Sequence, residues 1–176
     1  MTVEQYFSGD ETLQRHELRF GTLVREPSST YAHQSVVGRL FVALDDHVRQ
    51  QRAGVVVPSP MDVVLDREHA LIVQPDILFV ASARMTICRS AIEGAPDLVV
   101  EVLSPGTRRH DATTKLEWYR RYGVREYWLV DPSGQRIDIL VLPDGEPRRF
   151  DGDGVVVSAV LPALSLTPAK IFDTRL

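Results

Sequence analysis

Two acidic side chains stand where apolar ones are expected. Asp76 follows Pro75 and opens the run "ILFV" (77–80), and Glu101 interrupts "LVVEVLS" (98–104), the most apolar run in the chain. Side chains alternate along a strand, so Leu98, Val100 and Val102 share one face while Val99, Glu101 and Leu103 share the other. Both faces are apolar, which predicts a central strand covered on both sides and a substantially buried Glu101. A buried carboxylate without a partner is costly, so it either neutralises or finds one. The partner can be a cation such as Lys115 or Arg125, a set of hydrogen-bond donors, or a metal ion. A structural ion pair is the plain alternative, because paired buried carboxylates occur in many cores.

Lys115 sharpens the chemical reading. It lies on the helix expected after the Glu101 strand, at the edge of an apolar face formed by Ala112, Leu116 and Tyr119. From there it can reach inward, so Asp76, Glu101 and Lys115 can converge. Two carboxylates offer hard oxygen ligands to Mg²⁺, an ion that keeps several of its waters. Such an ion acidifies a bound water and polarises a phosphate oxygen. A lysine can position or deprotonate that water, or neutralise the charge that develops. Together these parts suit phosphodiester hydrolysis.

The elements that must position these residues can be read along the chain. Residues 2–8 suggest a short helix capped by Thr2. Gly21 within "ELRFGTLVRE" (17–26) suggests a hairpin. Val36, Val37, Leu40, Leu44 and Val48 recur at helical spacing over roughly 30–50. Short β-branched runs follow at 54–60, 61–66, 71–81 and 97–104. Residues 111–122 return to a helix, with Asp111 expected as its cap and Gly123 as its left-handed stop. Strands are expected at 125–131 and 136–142, a strand-like run at 155–160, and a last turn at 167–172. This order predicts an α/β or α+β fold: a mixed sheet flanked by helices, with C-terminal hairpins at its edge. No linker breaks the chain, so residues 1–176 read as one domain.

The strings that carry the chemistry resemble a known group. "PD" at 75–76 followed by "EVL" at 101–103 is similar to the PD-(D/E)XK, restriction-endonuclease-like superfamily. The segment "GAPDLVVEVLSPGTRRHDATTKLEWYRRYGVREYWLVDP" (94–132) resembles its Uma-two family, as do "MTVEQYF", "ELRFGTLV" and "VQPDILFV". The resemblance spans roughly residues 1–142. It implies a restriction-endonuclease-like mixed sheet and a Mg²⁺-dependent endonuclease hydrolysing phosphodiester bonds in DNA, with Mn²⁺ able to substitute. Asp76 and Glu101 would then hold the metal, and Asp76, Glu101, Lys115 and Glu17 would form the catalytic set. The superfamily places its lysine two residues after the second acid, where this chain has Leu103; the resemblance implies that Lys115 takes that role. Pro96-Asp97 repeats the Pro-Asp pair but belongs to the loop entering the Glu101 strand. Glu17 matches an N-terminal glutamate of the family, with a solvated strand residue as the alternative. His33 reads as a half-buried structural histidine that could instead face the site, and Asp62 as an ordinary strand or turn residue.

Residues 108–125 carry six cations against Asp111 and Glu117, inside a chain of net charge −4. Arg108, Arg109, Arg120 and Arg121 are therefore candidates for binding the nucleic-acid backbone, with Arg84 and Arg89 adding to the same side. A solvated helix face is the alternative. Trp118 and Trp128 read as core or interface aromatics rather than base-stacking platforms.

Other chemistries find no support. The single cysteine, Cys88, excludes an internal disulfide and a cysteine-rich zinc site. There is no His-Glu-x-x-His, phosphate-cradling Gly-rich loop or Gly-x-Ser-x-Gly pattern, and no sign of a small organic cofactor. The polar, acidic "MTVEQYFSGDE" is unlike a signal peptide, and no run is long enough to span a bilayer, so a cytoplasmic protein without membrane contact is expected. DNA is the expected partner, with a homodimer the expected assembly. The competing reading is a catalytically inactive nuclease-fold module that binds nucleic acid or a protein.

Overall fold

The computed structural model describes residues 1–9, 15–104, 106 and 108–173. The chain opens with α1 (Val3–Phe7), closed by a capping box: the Gln5 N–H donates to the Thr2 hydroxyl and the Thr2 N–H to Gln5 Oε1. The hairpin β1 (His16–Arg19) and β2 (Thr22–Arg25) turns at Phe20 and Gly21, both at positive φ. The long helix α2 (Tyr31–Gln51) is capped by Thr30 and buries Val36, Val37, Leu40, Leu44 and Val48, the stripe its spacing predicts. Strands β3 (Gly54–Pro58), β4 (Val63–Asp66), β5 (Leu71–Val73), β6 (Ile77–Ala81), β7 (Ile92–Glu93) and β8 (Leu98–Val102) follow. After β8, α3 (Arg108–His110) runs through a π-turn (Asp111–Lys115) into α4 (Leu116–Tyr122), which Gly123 ends at φ +90. The chain then forms β9 (Glu126–Asp131), β10 (Arg136–Val141), β11 (Arg148–Asp151) and α5 (Pro168–Phe172).

Two mixed sheets result, in strand orders β2-β1-β5-β4-β7 and β11-β10-β9-β8-β6-β3. In the larger sheet β8 lies between antiparallel β6 and parallel β9. The helical segment 108–122 is the crossover that a parallel β8–β9 pair requires. One face of β8 (Leu98, Val100, Val102) packs with the inner stripe of α2, Trp128 and the C-terminal tail. The other face (Val99, Leu103) packs with Tyr119, Tyr127 and apolar residues of the smaller sheet. The expected central strand, covered on both faces, is thus present. No helix among the described residues is long and apolar enough to cross a membrane.

Three local expectations are corrected. The run 71–81 is two strands in different sheets, because Gln74-Pro75-Asp76 forms a corner and proline has no N–H for a ladder. Asp111 is no cap: the helical segment already begins at 108, and Asp111 is buried inside it. Residues 155–160 form no strand, so the tail contributes one hairpin, β10–β11. There the bonds form no ladder: the Val156 N–H donates to the Leu166 carbonyl at 2.8 Å, and the Glu126 carboxylate receives the Ser158 hydroxyl at 2.6 Å and the Ala159 N–H at 2.5 Å.

Candidate active site

The Gln74-Pro75-Asp76 corner sets the geometry. The β6–β8 register pairs Ile77 with Val100, which places Asp76 level with Glu101 across the two strands. Residues opposite one another in an antiparallel pair project to the same side, with Cβ atoms about 5 Å apart. Asp76 Oδ2 receives the Val102 N–H at 2.9 Å and lies 3.2 Å from His33 Nε2. Asp76 Oδ1 receives Arg15 Nη1 at 3.0 Å. Burial opposes ionisation of Asp76, but His33, Arg15 and the Val102 N–H outweigh it and keep its pKa below the ordinary value. Asp76 and Glu101 line a cavity of about 220 Å³, together with Arg15, His33, Asp111 and Lys115.

Lys115 is fully buried and joins the acids. Its ammonium lies 2.9 Å from Glu17 Oε1, 3.0 Å from Glu101 Oε1 and 3.7 Å from Asp111 Oδ1. A π-turn carries an extra residue and often marks a functional site. This one brings both Asp111 and Lys115 inward. One turn later the Tyr119 hydroxyl donates to the same Glu101 oxygen at 2.9 Å. Burial pushes the Glu101 carboxyl up to about 8, against the pull of Lys115. Burial also acts upward on Glu17, but Lys115 and Arg19 hold that carboxyl down at about 2. Burial acts downward on Lys115, and Glu101, Glu17 and Asp111 overcome it, raising its pKa well above the ordinary range. Lys115 is therefore an ammonium at neutral pH, suited to donating a proton or a hydrogen bond rather than to acting as a base.

The structure brings together Asp76, Glu101, Lys115 and Glu17, the residues singled out in the sequence. His33, read chiefly as structural, lies against Asp76. Asp62, read as ordinary, accepts from the Tyr6 hydroxyl and from Gln74. Arg125 does not reach Glu101; it pairs with Asp97, as does Arg84. Of the basic face, Arg108 pairs bidentately with Asp131 and Arg120 pairs with Glu117, whereas Arg121 lies over the Tyr122 ring. Arg109 is exposed near the cavity end of the helical segment. Trp128 is buried in the core, and Trp118 is half-buried against Phe20 and His110. Sequence reasoning missed Arg15, Asp111 and Tyr119 as site residues. Asp111 and Tyr119 stand four residues either side of Lys115, a spacing that could have marked them. Arg15 precedes the first strand and carries no pattern.

The donor set fits a hard divalent ion. Among the described residues no cluster of three His, Cys, Asp or Glu side chains stands ready to hold a metal. Mg²⁺ does not need one, since it takes one or two carboxylates and completes its shell with water and substrate phosphate. Glu101 Oε1 is engaged by Lys115 and Tyr119, and Asp76 Oδ2 by the Val102 N–H and His33, so an ion would take Glu101 Oε2 and Asp76 Oδ1, the latter only in place of Arg15.

Comparison with known proteins agrees with this architecture. A solved structure from Anabaena variabilis ATCC 29413, described as a "putative nuclease belonging to DUF820", superposes with a TM-score of 0.83 at 21% identity, covering 98% of this chain and 97% of that one. At that identity the likeness establishes the fold. No match is found among functionally curated proteins. The profile of the Uma2 family, described as "Putative restriction endonuclease", matches residues 3–169. A nuclease-type fold, a buried acid pair with its lysine and a match over nearly the whole chain agree, and this protein belongs to the Uma2 (Uma-two) family.

Proposed function

We propose that the protein is a Mg²⁺-dependent endonuclease that hydrolyses phosphodiester bonds in DNA, with Mn²⁺ able to replace Mg²⁺. The observation that carries this reading is the level pair of carboxylates, Asp76 and Glu101, beside a buried ammonium in one cavity. Asp76 Oδ1 and Glu101 Oε2 would hold the ion. A bound ion of this kind lowers the pKa of a coordinated water and draws charge from a phosphoryl oxygen. Lys115 stays protonated, stabilises negative charge developing on the phosphate and fixes the attacking water. Glu17 keeps Lys115 charged and in place, acting as a positioning residue. Tyr119 fixes Glu101 by its hydroxyl bond, and His33 and the Val102 N–H fix Asp76. Arg109 is the proposed backbone contact near the cavity. A homodimer would present one such site to each strand of a duplex.

The test is incubation of supercoiled plasmid with wild type and Glu101→Gln in Mg²⁺, Mn²⁺ or EDTA. Cleavage by wild type that needs the ion and disappears in a folded Glu101→Gln variant is the expected result. One observation favours a second reading: each acid already has a cation, Arg15 for Asp76 and Lys115 for Glu17 and Glu101. A module that binds nucleic acid without cutting would have the same network, and it would show salt-sensitive DNA binding without cleavage in either ion.

A further inference from the structure

Asp76 is held unevenly. Oδ2 is fixed by the Val102 N–H of a central strand and by His33 of the long helix α2. Oδ1 is held by Arg15. Arg15 precedes β1, its carbonyl accepting the Glu26 N–H at 2.9 Å and its Nη2 donating to the Gln74 carbonyl, and its side chain is 22% exposed against 4% for Asp76. Its buried Nε has no hydrogen-bond partner among the described residues. It is the most exposed of the groups on Asp76. Its side chain also walls two adjoining cavities: the acidic one, of about 220 Å³, and a second of about 460 Å³, where Arg25, Ser28, Ser29 and Gln34 join it.

We propose that Arg15 is a latch: in the free protein it occupies the cation position on Asp76 Oδ1, and an entering phosphodiester draws it away, freeing that oxygen for the divalent ion. This rests on the nuclease reading above. A guanidinium and a metal ion on the same oxygen exclude each other by position and by charge. A phosphate offers the guanidinium the same fork of acceptors as a carboxylate, so the exchange replaces one charge-assisted pair by another. The second cavity supplies the place for that phosphate, beside Arg25, Ser28 and Ser29; the acidic Glu26 on its wall is already ion-paired with Arg19. Asp76 does not lose its orientation when Arg15 leaves, because both contacts to Oδ2 remain. Metal and nucleic acid then bind with positive coupling, and the coupling is reciprocal.

The test needs no cleavage. Mn²⁺ is titrated calorimetrically into wild type, Arg15→Met and Arg15→Lys without nucleic acid, with circular dichroism as the folding control. Arg15→Met is expected to bind Mn²⁺ about tenfold more tightly than wild type, with Arg15→Lys between them, since its ammonium lacks the planar fork. Fluorescence anisotropy with a cleavage-resistant phosphorothioate oligonucleotide gives the second readout. Wild type is expected to bind the oligonucleotide more tightly with Mn²⁺ than without, and Arg15→Met to lose most of that gain. Unchanged or weaker Mn²⁺ affinity in folded Arg15→Met overturns the latch and leaves Arg15 as the partner that keeps a buried carboxylate ionised. Should Arg15→Met fail to fold, absence of metal–oligonucleotide coupling in wild type overturns it equally. The nuclease reading is judged apart from this: cleavage that needs Glu101 stands whether or not the latch does.

Discussion

Lys115 gives the site its charge balance at the level of single residues. One ammonium serves Glu17 and Glu101 at hydrogen-bond distance and Asp111 slightly farther off. Removing one partner of such a buried set leaves the others uncompensated, typically at a cost of 3–5 kcal/mol. Glu17 offers a pH test of this. Its carboxyl ionises at about 2 in the folded protein against an ordinary 4.5. A depressed carboxyl contributes stability that is complete above the unfolded pKa and is lost as pH falls through the folded one. The melting temperature of wild type should therefore fall steeply between pH 4.5 and 2, and Glu17→Gln should show a shallower fall from a lower neutral value. Parallel acid limbs would mean that Glu17 is not held by Lys115. The acids and the lysine were legible in the sequence because each breaks an apolar pattern: Glu101 within a strand, Asp76 at the head of one, Lys115 beside a helical stripe. Arg15 breaks no pattern, since it sits before β1, and only the three-dimensional path of the chain brings it to Asp76.

The helical segment 108–122 must hold Lys115 in place at the level of elements, and its cavity end is pinned by Arg108. That guanidinium makes a bidentate pair with Asp131 at the end of β9, and the N–H groups of Ser133 and Gly134 support the same carboxylate. The sequence suggested Arg108 as a nucleic-acid contact; the structure places it as a brace between β9 and the crossover helix. Arg108→Ala is expected to cost about 1 kcal/mol or less, as for a partly exposed pair. It should slow cleavage through Lys115 while leaving the salt dependence of DNA binding unchanged. A reduced salt slope, measured by anisotropy across ionic strengths, would restore Arg108 to the DNA-contacting set. The main elements were legible from periodicity, turn residues and caps. The π-turn was not, because an inserted residue shifts the helical phase without changing composition. The tail run 155–160 misled for another reason: its alternation is real, with Val156 buried and Val155 and Val157 exposed, but its donors go elsewhere than to a ladder, Val156 N–H to the Leu166 carbonyl and Ala159 N–H to Glu126.

For the whole molecule, a net charge of −4 means that DNA must be met by a local surface. Much of the basic stretch is already paired within the fold, through Arg108, Arg120 and Arg125. Arg120 also lies ~18 Å from Arg108 along the helix axis. Arg109, exposed at the cavity end, is the better-placed phosphate contact. Arg109→Ala should lower the salt slope of DNA binding by about 1, whereas Arg120→Ala should not change it. Equal effects would point instead to a diffuse field along the whole helix. The most direct test of the central claim uses the two Pro-Asp pairs of the chain. Both Asp76 and Asp97 are buried and ion-paired, but Asp97 braces Ala81, Arg84 and Arg125, whereas Asp76 faces Glu101 in the cavity. Plasmid nicking in Mg²⁺ should be measured for wild type, Asp76→Asn and Asp97→Asn, normalised to folded protein. Asp76→Asn is expected to abolish nicking and Asp97→Asn to retain it. Nicking that survives in folded Asp76→Asn would show that Asp76 does not hold a catalytic ion.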